Sequence, residues 1–154
     1  MYRNILVAVD GSKESKLALA DAINLAQESN ARITLVHVCN RAPGMLQTTA
    51  AGAAVAAELP AAHAKVLREA VDTVPQDLPV TTLLLEGSPA DQIVKAARQY
   101  ENDLIVIGSR GRGRATAALL GSVSHEVLHR SPVPVLVVHS SRERPQALGD
   151  RPQE

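Results

Sequence analysis

Residues 5–12 read Ile5-Leu6-Val7-Ala8-Val9-Asp10-Gly11-Ser12. Five apolar residues run without a break and then stop at an acid, a glycine and a serine. A strand with one wet face would alternate, whereas an unbroken run suits a strand covered on both faces, as in a parallel sheet. The period changes at once. From Lys13 to Ser29, Ala18, Leu19, Ala22, Ile23, Leu25 and Ala26 recur at three- and four-residue spacing, which predicts a helix with one apolar face. Ser12 stands where an N-cap belongs and Glu14 falls in the favourable first turn.

The same alternation continues to the end of the chain. Ile33 to Val38 predicts a second strand. Asn40 to about Gly52 holds Pro43, Gly44 and Gly52 among small residues and reads as a long connection. A second helix spans about Ala53 to Val74, with Pro60 leaving open a start only after that residue. Pro75 and Pro79 stop it, and Val80 to Leu85 is the third strand. Ser88-Pro89-Ala90-Asp91 marks the third helix through a capping serine, a first-position proline and an early acid. Its apolar face is Ile93, Val94, Ala96 and Ala97. Leu104 to Ile107 is the fourth strand, and Gly108 to about Ala115 a glycine and arginine loop. A fourth helix, Ser122 to His129, turns Val123, Val127 and Leu128 inward. It ends at Ser131-Pro132, because the residue before proline avoids the α region. Val133 to Val138 is the fifth strand. Five strands separated by four helices predict an α/β fold, a single doubly wound parallel sheet with helices on both faces. The domain is placed at 1–139, and the polar residues 140–154 are expected to be a disordered tail.

Composition narrows the function. The chain of 154 residues fits one domain at about 100–200 residues each. Aromatics are 1% of it, so the core must be built from Val, Ile, Leu and Ala. A formal net charge of zero argues against long-range steering toward nucleic acid or an anionic membrane. The Arg/Gly run could touch RNA, but it has no aromatics to stack on bases. Apolar runs fall far short of the roughly 20 residues a membrane span needs. Residues 1–25 carry Asp10, Glu14 and Asp21 and no continuous apolar core of a leader. The single cysteine, Cys39, suits a reducing, cytoplasmic location.

Two strand ends carry unusual chemistry. The first ends in Asp10-Gly11-Ser12, the fourth in Gly108-Ser109-Arg110-Gly111-Arg112-Gly113-Arg114. A further Gly121-Ser122 opens the last helix. Glycines let a backbone approach a ligand closely. Free N–H groups at a helix start attract negative charge, and consecutive N–H groups form anion nests. The Ser122 and Ser124 hydroxyls can add hydrogen bonds, and Arg110, Arg112 and Arg114 can neutralise phosphate from the rim. Asp10 would repel phosphate but suits a ribose hydroxyl or an adenine amino group. Neither Gly-x-x-x-x-Gly-Lys-Ser/Thr nor Gly-x-Gly-x-x-Gly occurs, which excludes the P-loop and dinucleotide signatures.

These residues resemble the universal stress protein family. The opening Ile5 to Ser12 is similar to the family's first strand and turn. Gly108-x2-Gly111-x9-Gly121-Ser122 resembles the ATP-binding signature of its nucleotide-binding branch. Gly121-Ser122-Val123-Ser124 through Ser131-Pro132-Val133-Pro134-Val135-Leu136-Val137-Val138 is also similar, so the resemblance covers about residues 2–139. It implies a sheet order of 3-2-1-4-5, with Asp10 at the nucleoside and the Val38 backbone at adenine. Gly11 and Ser12 belong to the same turn as Asp10. Gly108, Ser109, Arg110, Gly111 and Gly113 would line the ribose and phosphate path. Gly121, Ser122 and Val123 would hold phosphates through N–H groups, helped by the Ser122 and Ser124 hydroxyls. It further implies ATP, with any Mg²⁺ bound through the phosphates, and a homodimer formed through Val133 to Val138.

Other candidates are weaker. His37 reads as a structural residue near the pocket and Cys39 as a small core residue. His125 and His129 share a helix face at metal-binding spacing but lack a third ligand. Ser109, His125 and Glu126 have no oriented base, so they make no triad. No Asp or Glu lies between Asp103 and Glu126 to hold Mg²⁺ for hydrolysis. No catalytic residue and no protein metal site is assigned. The leading expectation is a nucleotide-binding regulatory protein of the stress response; a slow ATPase or phosphotransferase and a dimeric scaffold with an empty pocket are the alternatives.

Overall fold

The computed structural model describes residues 1–40, 50–111 and 120–140, with only the backbone of residues 50–59. In chain order the elements are β1 (Asn4–Ala8), α1 (Lys13–Ser29), β2 (Arg32–Cys39), α2 (Ala50–Thr73) and β3 (Val80–Glu86). Then follow α3 (Pro89–Gln99), β4 (Leu104–Gly108), α4 (Ser122–Arg130) and β5 (Val135–Val138). All strand pairings are parallel and the sheet order is β3-β2-β1-β4-β5. β1 is central, paired with β2 through Ile5↔Ile33 and with β4 through Ile5↔Leu104. The direction of winding therefore reverses between β1 and β4.

Side chains on a strand alternate between faces, and here each face has its own core. Ile5, Val7, Ile33, Leu35, Leu104 and Val106 pack beneath α1 and α2. Leu6, Val36, Ile105 and Ile107 pack beneath α3 and α4. Ile5, Leu6 and Val7 are fully buried, as the unbroken run requires. Ala18, Ala22 and Ala26 on α1 are fully buried too, and such small residues let the helix lie close to the β-branched sheet.

Several local details depart from the sequence reading. α2 begins at Ala50 and continues through Pro60, so Ala50 to Gly52 belong to a helix rather than to the preceding connection. Pro60 removes one main-chain donor, and beyond it Val66, Leu67 and Ala70 are buried against the sheet. Leu128 on α4 is exposed, leaving Val127, with half-buried Val123, to face the core. β5 starts at Val135 rather than Val133. Pro134 has no N–H to give a ladder, and Val133 is held in a local turn by the Ser131 hydroxyl. α4 ends at Ser131, extended at φ −65° and ψ 133°, as its place before proline dictates. Of the expected tail only Ser140 is described, and its hydroxyl donates to Glu14 Oε1 at 3.0 Å. Asn40 also lies among the described residues, whereas residues 41–49 and 141–154 do not.

Candidate functional site

The first strand turns into α1 through a tight polar bend. Gly11 has φ +80°, a region that glycine enters without steric cost. The bend is closed by the Ser12 N–H, which donates to Asp10 Oδ1 at 2.9 Å. Ser12 is the N-cap, and its Oγ accepts from the Ser15 N–H at 3.2 Å. One first-turn donor of α1 is thus satisfied from within, and the second Asp10 oxygen faces Gly111.

Gly108 closes β4 where β4 meets α1. A Cβ there would stand 2.8 Å from Glu14 C and Cβ and 3.0 Å from Ser15 N. The glycine is therefore required by packing against α1. Ser109 is buried; its N–H donates to Val138 O at 2.8 Å and its C=O accepts from the Gly121 N–H at 2.7 Å. Half-buried Arg110 follows, then exposed Gly111, where an added Cβ would lie 2.5 Å from Asp10 Oδ2. The Asp10 carboxylate and the glycine loop are therefore neighbours. Arg112, Gly113 and Arg114 lie outside the described residues.

The far side is the start of α4. Gly121 is its N-cap, with φ −62° and ψ 154°, and no side chain caps this helix. The Gly121 N–H is engaged by Ser109 O. The Ser124 hydroxyl is buried and donates to Gly108 O at 2.9 Å and Ser109 O at 3.2 Å. It ties α4 to β4. Among the described residues no main-chain partner is found for the N–H groups of Ser122, Val123 and Ser124, which precede the first intrahelical bond, His125 N–H to Gly121 O. Exposed Ser122 carries its hydroxyl beside them.

Val38 contributes main chain. Even-numbered residues of β2 turn their peptide groups toward β1: Arg32 N–H donates to Arg3 O, and Val36 O accepts from Val9 N–H. Odd-numbered ones face β3: Ile33 N–H donates to Pro79 O, and Cys39 O accepts from Gly87 N–H. Val38 therefore aims its N–H and C=O past the last rung of β1, beside Asp10. The carbonyl that would form the next rung, Val9 O, is taken by His37 Nδ1 at 2.7 Å.

The family model described as "Universal stress protein family" matches residues 1–139. The chain belongs to the universal stress protein family. A Thermus aquaticus relative, "Universal stress protein in QAH/OAS sulfhydrylase 3'region", is 39% identical over 140 residues, covering 90% of this chain and 99% of that one. The solved universal stress protein UspA from Lactobacillus plantarum superposes with a TM-score of 0.73 at 31% identity, covering 89% of this chain and 97% of that one. A universal stress protein crystallised with cAMP gives a TM-score of 0.67 at 28% identity, covering 91% and 98%.

In this universal stress protein fold, Asp10, Val38, Ser109 to Gly111 and the start of α4 converge at the carboxyl edge, where the strand order reverses. That is where open α/β sheets take ligands. Sequence reasoning missed one cluster beside it. His37 is 5% exposed, and its Nε2 lies 2.6 Å from Nδ1 of His63 on α2. The rings sit 4.9 Å apart. Cys39 is half-buried at the end of β2 rather than in the core. Burial, and secondarily the Glu86 carboxylate, push its thiol up. His37 and Cys39 share a sheet face by their spacing of two, which the sequence did show. Nothing in the sequence indicated which turn of α2 would cross above them. His125 and His129 stack edge to face and are both exposed.

Proposed function

We propose that this chain is an ATP-binding member of the family, holding the nucleotide across the carboxyl edge between β1 and β4. The observation that carries the reading is the start of α4. Three N–H groups, from Ser122, Val123 and Ser124, stand at the start of a helix that no side chain caps among the described residues. The positive end of that helix dipole favours phosphate. Asp10 and the Val38 peptide supply a polar end for ribose and adenine. Gly111 keeps the path between them clear, since any side chain there would meet Asp10. The relative that was crystallised with cAMP supports an adenine nucleotide as the class of ligand.

Asp10 is the carboxylate beside the glycine loop, and one of its oxygens accepts from Ser12 N–H. In this reading any Mg²⁺ is carried by the phosphates. The protein's part is then binding rather than hydrolysis, and the output is a population shift. A ligand bound only to the folded state at 100 times its Kd stabilises that state by about 2.7 kcal/mol. The edge strand β5 is the proposed homodimer surface, because a short apolar edge needs cover and Leu136 on it is exposed. Among the described residues no helix is long and apolar enough to cross a membrane; a cytoplasmic regulatory role is part of the proposal.

The test is direct. Protein purified without added nucleotide is denatured, and its small molecules are separated by chromatography. Calorimetry with ATP, AMP and cAMP follows, since the chain has no Trp. Recovery of adenine nucleotide, or one ATP per chain by titration, supports the reading. The absence of both, with no nucleotide co-purifying and no binding at millimolar ATP with Mg²⁺, would overturn it.

A further inference from the structure

Beyond the nucleotide edge, three potential ligands meet on the α1/α2 face of the sheet. One ligand atom each from His37, Cys39 and His63 lies within 4.8 Å of the others. We propose that His37, Cys39 and His63 form a binding site for a borderline-soft cation of the Zn²⁺ class.

Four features of the geometry support it. The first is the donor set: two imidazoles and a thiolate match the N/S preference of Zn²⁺. The second is the orientation of His37. A carbonyl can only accept, so the 2.7 Å contact with Val9 O places the proton on His37 Nδ1. That leaves Nε2, the atom facing His63, to act as ligand. A ligating histidine characteristically gives its other N–H to such an acceptor, fixing ring and tautomer. The third is the distance to be covered. Two tetrahedral nitrogens at about 2.0–2.1 Å from Zn²⁺ stand about 3.3 Å apart. The imidazole nitrogens, now 2.6 Å apart, need open by well under 1 Å. Cys39 Sγ closes the rest by side-chain rotation at the strand end, where it is half-buried. The fourth is charge: Glu86 pairs in register with Cys39, placing a carboxylate on the adjoining strand.

Three protein ligands leave a fourth position open, so the site would exchange its ion rather than lock it away. On binding, Zn²⁺ displaces one proton, from the Cys39 thiol, and the two neutral imidazoles coordinate through lone pairs. No electron is transferred.

The experiment uses untagged, reduced, chelator-stripped full-length protein with no nucleotide present. Zn²⁺ is titrated against a chromogenic chelator, and Co²⁺ serves as the spectroscopic probe. One equivalent of Zn²⁺ per chain is expected at micromolar metal. Co²⁺ should give tetrahedral visible bands and a near-ultraviolet thiolate charge-transfer band that Cys39→Ser removes. His63→Asn and Cys39→Ser should each weaken Zn²⁺ binding at least tenfold, whereas the His125→Asn/His129→Asn double variant should bind as the unmodified chain does. Far-UV circular dichroism establishes that each variant folds. A further readout needs no variant: Cys39 is the sole thiol, so saturating Zn²⁺ should slow its alkylation by N-ethylmaleimide at least tenfold. No stoichiometric binding, equal affinity in the variants, or an unchanged alkylation rate each overturns the proposal.

Discussion

Adding a single methyl group at Gly108 tests how closely β4 is pressed against α1. Gly108→Ala places a Cβ 2.8 Å from two carbons of Glu14 and 3.0 Å from the Ser15 nitrogen. Non-bonded carbons rest at about 3.5–4.0 Å. The first turn of α1 and the end of β4 must therefore separate by about 0.7 Å or more. Two of the three contacts are main chain, so no rotamer change relieves them. Overpacking of this kind costs about 1–3 kcal/mol. A stiffer unfolded chain returns about 0.4–1 kcal/mol, which leaves a net loss of about 1–2 kcal/mol. For a chain of this size that lowers the thermal midpoint by about 2–8 °C. The assay is urea and thermal unfolding followed by far-UV circular dichroism, without nucleotide. Gly121→Ala is the comparison, since its nearest contact is 3.2 Å to a carbonyl oxygen; it should lose less. A Gly108→Ala protein within about 0.5 kcal/mol of the parent, or more stable than it, would refute the packing argument.

Gly111→Val should displace the Asp10 carboxylate and fill the path to the phosphate donors, cutting ATP affinity tenfold or more (about 1.4 kcal/mol) by calorimetry while the fold survives. Ser124→Ala removes a buried hydroxyl that donates to two carbonyls; stability should fall by about 1–3 kcal/mol in urea unfolding, with ATP affinity changing less than threefold. Gly11→Ala forces a Cβ into φ +80° and should cost about 1–2 kcal/mol by the same measurement. Leu136→Lys on the exposed edge of β5 should shift the chain from dimer to monomer in light scattering, and a dimer that persists would move the interface elsewhere.

The topology was legible because the sequence switches cleanly between two periods, and because Pro and Gly mark nearly every boundary. The apolar faces of α1 and α3 were legible for the same reason, down to Ala18, Ala22, Ile93 and Ala97. α2 was less so: Ala-rich segments carry little phase information, and a mid-helix proline argues locally for a break that the packing of Val66 and Leu67 overrides. At the site, sequence could name the glycines and serines but not divide their work. Gly108 serves the contact with α1, while Ser124 and the Gly121 N–H serve the loop itself. Whether a donor is spent internally depends on which carbonyl stands opposite, and that is a tertiary fact. The His37–His63 contact was hidden likewise, since the two residues are 26 positions apart and joined only by the crossing of α2 over β2.

Ser109 holds β5 with one peptide group and the threshold of α4 with the next. Occupancy of the loop and pairing of the outer strand would thus share a rivet one residue long. If a ligand tightens this joint, reciprocity demands that self-association tighten the ligand by the same factor. Two subunits would then behave as a concentration gauge, reading their own abundance and that of the bound molecule on a single dial.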